Sequence, residues 1–225
     1  MERARTAQAL LRRRGTNRLA AYRPYPKQRE FHAAGAIHRE RLFMAGNQLG
    51  KTLAGSMEMA MHLTGRYPDW WEGRRFDRPI RAWAAGVTGE STRDNPQRLL
   101  VGPPEDRTQW GTGAIPARDI ISITTGRGLA NSIDQMVVAH ASGGRSMLAF
   151  KSYEKGREKW QGETLHVVWF DEEPPEDIYD EGLTRTNATG GIVYLTFTPL
   201  LGRSAVVNRF LKDQDIQAME QERVR

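Results

Sequence analysis

Residues 44–55 read MAGNQLGKTLAG, with a short apolar run (41–45) before them and a helix-patterned segment (51–65) overlapping and continuing beyond. Few arrangements place glycines, a lysine and a hydroxyl residue in that order at a strand-to-helix junction. Ala45-Gly46-Asn47-Gln48-Leu49-Gly50-Lys51-Thr52 fits the phosphate-binding loop pattern, with alanine at its first position. Gly46 and Gly50 would let the backbone curl so that its N–H groups point inward at phosphate oxygens. The helix beginning at Lys51 would present its positive end to the same anion. Lys51 would reach the β- and γ-phosphates, and Thr52 would set its hydroxyl on a magnesium ion. The alternative is a glycine-rich turn with an incidental lysine. What separates the two is whether the chain also supplies an acid for the metal and a base for a water.

It does. His166-Val167-Val168-Trp169-Phe170-Asp171-Glu172 is an apolar strand delivering two acids at its C-terminal end, the end at which open α/β sheets bind ligands. Asp171 would hold the metal through its water shell, and Glu172 would polarise the attacking water as a general base or orienting group. The competing reading is a strand followed by a solvated acidic turn, since Glu173 and Glu176 also follow. Further on, Leu195-Thr196-Phe197-Thr198-Pro199 closes another apolar strand. The hydroxyls of Thr196 and Thr198, two residues apart, share one side of a strand, placed to meet the γ-phosphate or the water beside Glu172; ordinary β-branched strand residues are the alternative. Upstream, Tyr25-Pro26-Lys27-Gln28 offers an amide that can both donate to and accept from an adenine edge, and a ring that could stack on it.

Composition narrows the class. A chain of 225 residues with 39% hydrophobic and 27% charged residues holds one large domain, or one domain plus an appendage, with a real core. It has no apolar run long enough to span a membrane, and its start, MERARTAQALLRRRG, has no apolar stretch of signal-peptide kind. With no cysteine, disulfides, thiolate catalysis and cysteine-based zinc sites are excluded. Basic residues outnumber acidic ones 33 to 27, only six of them lysines. An arginine excess fits a phosphate-rich partner such as nucleic acid, or an ordinary solvated surface.

The pattern of apolar spacing predicts a basic helix over 2–14, a loop at 23–28, helix over 29–40, strand at 41–45, helix over 51–65, a polar–aromatic loop at 66–79 containing Trp70 and Trp71, strand at 80–87, helix over 90–100 and a loop at 102–116. A meander of three strands follows, near 119–125, 134–141 and 145–153. The acid-bearing strand (163–173), a helix (176–188), a last strand (190–199) and a terminal helix (204–225) complete it. Strands alternating with helices around the motifs argue for a parallel sheet with crossovers. Trp70 and Trp71 are either an exposed contact or plugs on the core.

In combination, NQLGKT, VVWFDEE, TFTP and the upstream YPKQ closely resemble the large terminase subunit of tailed bacteriophages, the DNA-packaging motor. GTGAIP (111–116) and SYEKGREKWQG (152–162) also read like that family's connecting segments, and the resemblance covers roughly residues 20–210. It implies an α/β P-loop NTPase of the RecA-like, additional-strand, catalytic-glutamate class: a three-layer sandwich with a mostly parallel central sheet, a β-meander insertion and a small C-terminal helical lid. The boundaries would be a basic N-terminal helix or arm over 1–20, the ATPase core over 21–202 and a lid or linker over 203–225. By position, Ala45 through Thr52 form the nucleotide loop, with Tyr25 and Gln28 at the adenine. Thr52 and Asp171 serve the metal, Lys51 and Glu172 serve catalysis, and Thr196 and Thr198 form the coupling motif. ATP and Mg2+ are the implied substrate and cofactor. The implied partners are double-stranded DNA, gripped non-specifically by its phosphates, together with the portal protein and the small terminase subunit. The resemblance further implies a homo-oligomeric ring on the procapsid, a monomer in isolation, no membrane association, and residence in the host cell cytoplasm and not in the mature virion.

Two departures bear on the arginine that such enzymes place against the γ-phosphate. Asn47 stands where several relatives carry an arginine inside the loop, and Gln161-Gly162 stands where others carry Arg-Gly before the acid strand. Arg157, four residues before Gln161, is the nearest replacement, ahead of Lys159, whose ammonium lacks the bidentate fork; a solvated surface charge is the alternative. Relatives also carry a C-terminal nuclease domain, so nuclease activity is not expected within this sequence. Outside this family, the motifs leave a helicase-like nucleic-acid-dependent ATPase or a nucleotide-gated DNA-binding module.

Overall fold

The computed structural model describes residues 17–46, 48–198 and 205–211. The helix expected over 2–14, Asn47, and most of the segment expected over 203–225 lie outside the described residues; within that last segment a short helix, Ala205–Asn208, is described.

Seven strands form one sheet in the order β1-β7-β6-β2-β5-β4-β3. They are β1 (Glu40–Met44), β2 (Arg81–Gly86), β3 (Ile120–Thr125), β4 (Ile133–Ala139), β5 (Arg145–Ser152), β6 (Val167–Asp171) and β7 (Ile192–Phe197). The pairs β1–β7, β7–β6, β6–β2 and β2–β5 are parallel, whereas β3, β4 and β5 run antiparallel as the meander. Burial follows this layout. Every residue of β6 and β7 is buried, as in strands covered on both faces, while β4 and β5 alternate. The chain therefore has the α/β P-loop fold, and β7 is the additional strand, inserted between the strand that feeds the loop and the strand that carries the acids.

Alternation of side chains divides the core. Trp169 and Tyr194 join the cluster on the face covered by α3 (Lys51–Thr64). Val168, Phe170 and Leu195 join the other, with Ile178 and Tyr179 of α6 (Glu176–Asn187). Each fully buried side chain of the size of Phe170 contributes about 1.5–3 kcal/mol. Helix α3 lies close on the sheet because residue 55 is glycine: a Cβ there would sit 2.7 Å from the Trp169 ring. The Tyr194 hydroxyl donates to the Gly55 carbonyl at 2.9 Å. These contacts set the height of the helix whose first turn holds Lys51 and Thr52.

Midway along α3 the core encloses a charge network. Glu58 is buried and pairs with Arg41, with His32 Nδ1 at 2.7 Å and with His62 Nε2 at 3.3 Å. The Tyr22 hydroxyl in turn meets His32 Nε2 at 3.1 Å. Burial pushes the Glu58 carboxyl up, but Arg41 and the hydrogen bonds from His32 and His62 outweigh it and hold the group well below the usual carboxylate range. Burial pushes the His62 ring down, further than Glu58 raises it.

Three local expectations are corrected. The loop expected over 23–28 gives way at Pro26, where α2 (Pro26–Ala34) begins after the short α1 (Arg18–Ala21). Proline at the first helical position has no N–H to lose and a φ already set for helix. Helix α2 also stops at Ala34, short of residue 40. The helix expected over 90–100 is a composite: α4 (Gly89–Thr92), a π segment (Arg93–Gln97) containing Pro96, and α5 (Arg98–Val101). Proline removes a ladder bond, and the wider turn accommodates it. Trp71 is buried and Trp70 packs half-buried against the same core, so this pair plugs the domain.

Candidate active site

The loop after β1 and the acids at the end of β6 meet at the carboxyl ends of these strands, with β7 between them. Gly50 caps α3 in the left-handed region at φ 72°. A side chain is excluded there by space as well, because a Cβ would run into the Tyr25 hydroxyl. Gln48 also adopts a left-handed φ, 58°, without being glycine, whereas Gly46 lies outside that region. The curl expected to need Gly46 is thus made at Gln48 and Gly50.

Two residues of the YPKQ stretch hold this loop from outside. The half-exposed Tyr25 donates its hydroxyl to Leu49 O at 2.9 Å, and Gln28, fully buried, donates Nε2 to Gly50 O at 2.9 Å while its Oε1 accepts from Tyr25 N at 3.2 Å. The Gln28 amide, read in the sequence as an adenine reader, is engaged with the backbone at both ends. Lys51 is buried, and its ammonium donates to Gly46 O at 2.7 Å, folded back over the loop.

Asp171 is the most enclosed acid of the site. Its Oδ1 accepts from Thr196 Oγ1 at 2.8 Å, and Thr52 in the first turn of α3 faces the same carboxyl. Thr196 Oγ1 in turn accepts from Trp169 Nε1 at 2.8 Å. Burial pushes the Asp171 carboxyl up to about 7 against the hydrogen bonds from Thr196 and Thr52; the Glu172 charge adds to the rise and Lys51 opposes it. Thr52 and Asp171, a hydroxyl and a carboxylate facing each other, form an all-oxygen donor pair. Such a pair suits a magnesium ion that keeps most of its waters and takes its remaining ligands from phosphate.

Glu172 lies just beyond the strand, half-buried, with φ 66°. A left-handed glutamate costs on the order of 1–3 kcal/mol, and such residues persist only where their surroundings hold them. Its N–H donates to Thr196 O at 2.9 Å, and Thr198 N approaches its Oε2 at 3.4 Å. The two threonines therefore do different things from those expected of one strand face. Strand β7 ends at Phe197, the Thr196 hydroxyl serves Asp171, and it is the Thr198 backbone that faces Glu172.

Arg157 is not gathered with these groups. It lies on a short 3-10 turn, Arg157–Trp160, and its Nε pairs with Glu181 Oε2 at 3.1 Å. Glu181, buried on α6, also takes Arg185 at 2.8 Å. Trp169 and Glu181 were missed in the sequence because nothing in their spacing marks them: the first reads as a core residue, the second as one acid of a charged helix.

Residues 42–224 match the family model described as terminase large subunit, T4likevirus-type, N-terminal. The terminase large subunit of Salmonella phage P22 is 48% identical over 217 residues, covering 89% of this chain and 44% of that protein. That of Enterobacteria phage LP7 is 27% identical over 220 residues, covering 89% and 45%. The chain thus spans less than half the length of these relatives. Among solved structures, the large terminase of a thermophilic bacteriophage in complex with ADP aligns with a TM-score of 0.49 at 15% identity, over 88% of this chain and 50% of that one. The HK97 bacteriophage large terminase aligns with a TM-score of 0.49 at 13% identity, over 88% and 38%.

Proposed function

This chain belongs to the family of phage large terminase subunits, and from that premise we propose that it is the ATPase of a viral DNA-packaging motor, hydrolysing ATP to drive double-stranded DNA into a procapsid. The observation that carries the proposal is the convergence, at the carboxyl ends of β1 and β6, of the Lys51–Thr52 loop with Asp171 and Glu172, with the Thr196 hydroxyl bonded to Asp171.

In this reading, the loop from Ala45 to Thr52 cradles the phosphates. Lys51 exchanges the Gly46 carbonyl for phosphate oxygens when nucleotide arrives. The half-exposed Tyr25 ring offers a face for the adenine, and Gln28 braces the loop beneath it. Thr52 and Asp171 would hold Mg2+, which when bound neutralises charge on the β- and γ-phosphates. Glu172, half-buried beside the Thr198 amide, orients the attacking water and takes its proton. The missing cation comes from a neighbouring subunit in a ring, with Arg157 as the candidate once it leaves Glu181.

The ATPase core occupies 21–202, between an N-terminal arm and a C-terminal lid. Its partners are DNA, held through its phosphates and therefore salt-sensitively, the portal protein and the small terminase subunit. It acts in the host cytoplasm, and this chain does not itself cut DNA. The test is phosphate release by the chain, with and without DNA and portal. Hydrolysis that DNA or portal stimulates and Glu172→Gln abolishes is expected. A wild-type chain that binds ATP without turning it over would leave a nucleotide-gated binding module instead.

A further inference from the structure

Glu172 needs something to hold it in the left-handed region, and the bonds from its own N–H to Thr196 and from Thr198 to its side chain do not constrain the far side of its peptide. That side is occupied by Tyr153. Its hydroxyl lies 2.8 Å from the Glu172 carbonyl oxygen and 3.0 Å from that of Asp171, donating to the pair. Tyr153 follows β5 directly, and β2 lies between β5 and β6 in the sheet, so the side chain passes beneath the end of an intervening strand. The ring is buried, its centroid 6.0 Å from Phe170 and 6.2 Å from Trp160. Those rings fix the direction from which the hydroxyl arrives.

We infer that Tyr153 is a positioning residue for the general base. Its hydroxyl grips the two consecutive carbonyls at the point where the chain leaves β6 and turns through Glu172, and so keeps the Glu172 carboxylate aimed at the water. The inference rests on the role proposed above for Glu172. Its physical content is specific. The aromatic ring supplies packing, which phenylalanine would supply equally. The hydroxyl supplies the contact that holds the carbonyl side of this turn, since a buried carbonyl without a donor is costly and a left-handed glutamate is strained. Removing the hydroxyl therefore releases the turn and leaves the core intact. Among the described residues, Tyr153 makes no hydrogen bond or ring contact with the nucleotide loop, so the effect falls on turnover and not on nucleotide capture.

The test compares Tyr153→Phe with the wild-type chain in ATP hydrolysis, with and without double-stranded DNA and portal, in affinity for ADP and for ADP–aluminium fluoride, and in crystal structure. The expected result is a kcat lower by about 10- to 100-fold, as for a reacting group displaced by a fraction of an ångström to an ångström. ADP affinity is expected to stay within about twofold, with ADP–aluminium fluoride weakened in proportion to kcat, because only the transition-state geometry is disturbed. Glu172 is expected to have left the left-handed region in the crystal. Unchanged kcat, or a Glu172 still at positive φ in Tyr153→Phe, overturns the inference, as does a loss of ADP affinity equal to the loss of kcat. If the wild-type chain shows no Glu172-dependent hydrolysis, the functional reading fails instead, and the Tyr153→Phe crystal structure still decides what the hydroxyl holds.

Discussion

Thr196 Oγ1 and Asp171 Oδ1 lie 2.8 Å apart, and that bond ties the additional strand to the acid strand at the level of the phosphate loop. The same hydroxyl accepts from the Trp169 indole at 2.8 Å, so one oxygen joins the carboxylate of the site to the side chain on which α3 rests. All three groups are buried. Thr196→Val keeps the shape and removes the hydroxyl, leaving the Trp169 N–H without an acceptor. A stability loss of about 1–3 kcal/mol is expected by urea denaturation, with weaker nucleotide binding in magnesium. Thr196→Ser should restore both. Equal stability of the Val and wild-type chains would mean the relay is incidental.

At Glu172 the prediction separates chemistry from binding. Glu172→Gln keeps the size and hydrogen-bonding capacity of the side chain but removes the base, so hydrolysis should fall by at least ~10²-fold while ATP still binds. Lys51→Ala should lose binding and turnover together, because it removes a cation from the phosphates. Steady-state phosphate release and equilibrium nucleotide binding read the two effects, and near wild-type hydrolysis by the Gln variant would reject Glu172 as the base.

Arg157 makes a prediction about assembly. An arginine against the γ-phosphate is worth on the order of 10³–10⁵-fold in rate, and in the isolated chain this one pairs with Glu181. The isolated chain should therefore be a poor ATPase that ring formation activates. Rings of Arg157→Ala alone should be inactive. Mixing in Glu172→Gln subunits, which retain Arg157, should restore hydrolysis at the sites that retain Glu172. Normal turnover by Arg157→Ala rings would assign the charge to another arginine.

The Glu58 network makes the fold acid-sensitive. His62 has its folded pKa lowered from 6.5, so below that pH the unfolded ring binds a proton that the folded one refuses, and stability falls. Glu58 is held well below its ordinary 4.5. Its contribution is complete above that value and is lost as the pH drops toward the folded pKa. Chemical denaturation should show stability declining from about pH 6.5 downward and more steeply below about 4.5. Glu58→Gln should remove the lower limb and cost about 3–5 kcal/mol at neutral pH, since it strands buried Arg41. A flat profile from pH 7 to 4 would refute the assignment.

The features legible in the sequence were those that local spacing dictates. A strand, a glycine-bearing loop and a helix in succession determine that Lys51 and Thr52 begin a helix directly after the loop. A run of apolar residues ending in Asp171 and Glu172 determines a buried strand with acids at its tip. The meander and the alternation of strands with helices follow from the same periodicities. What the tertiary structure alone decided is partnership. The order β1-β7-β6 puts Thr196 beside Asp171 and Trp169, 25 and 27 residues away in the chain. The docking of α2 commits the Gln28 amide to Gly50, the packing of α6 gives Arg157 to Glu181, and the end of β5 brings Tyr153 to the Glu172 carbonyl. Spacing along a chain says which face a side chain takes. It carries no information about which distant element lies against that face, because strand order in a parallel sheet is set by the crossovers and by the core they bury together. Even the left-handed turn at Glu172 belongs to this second kind: no local preference of glutamate produces it, and only contacts from β5 and β7 hold it.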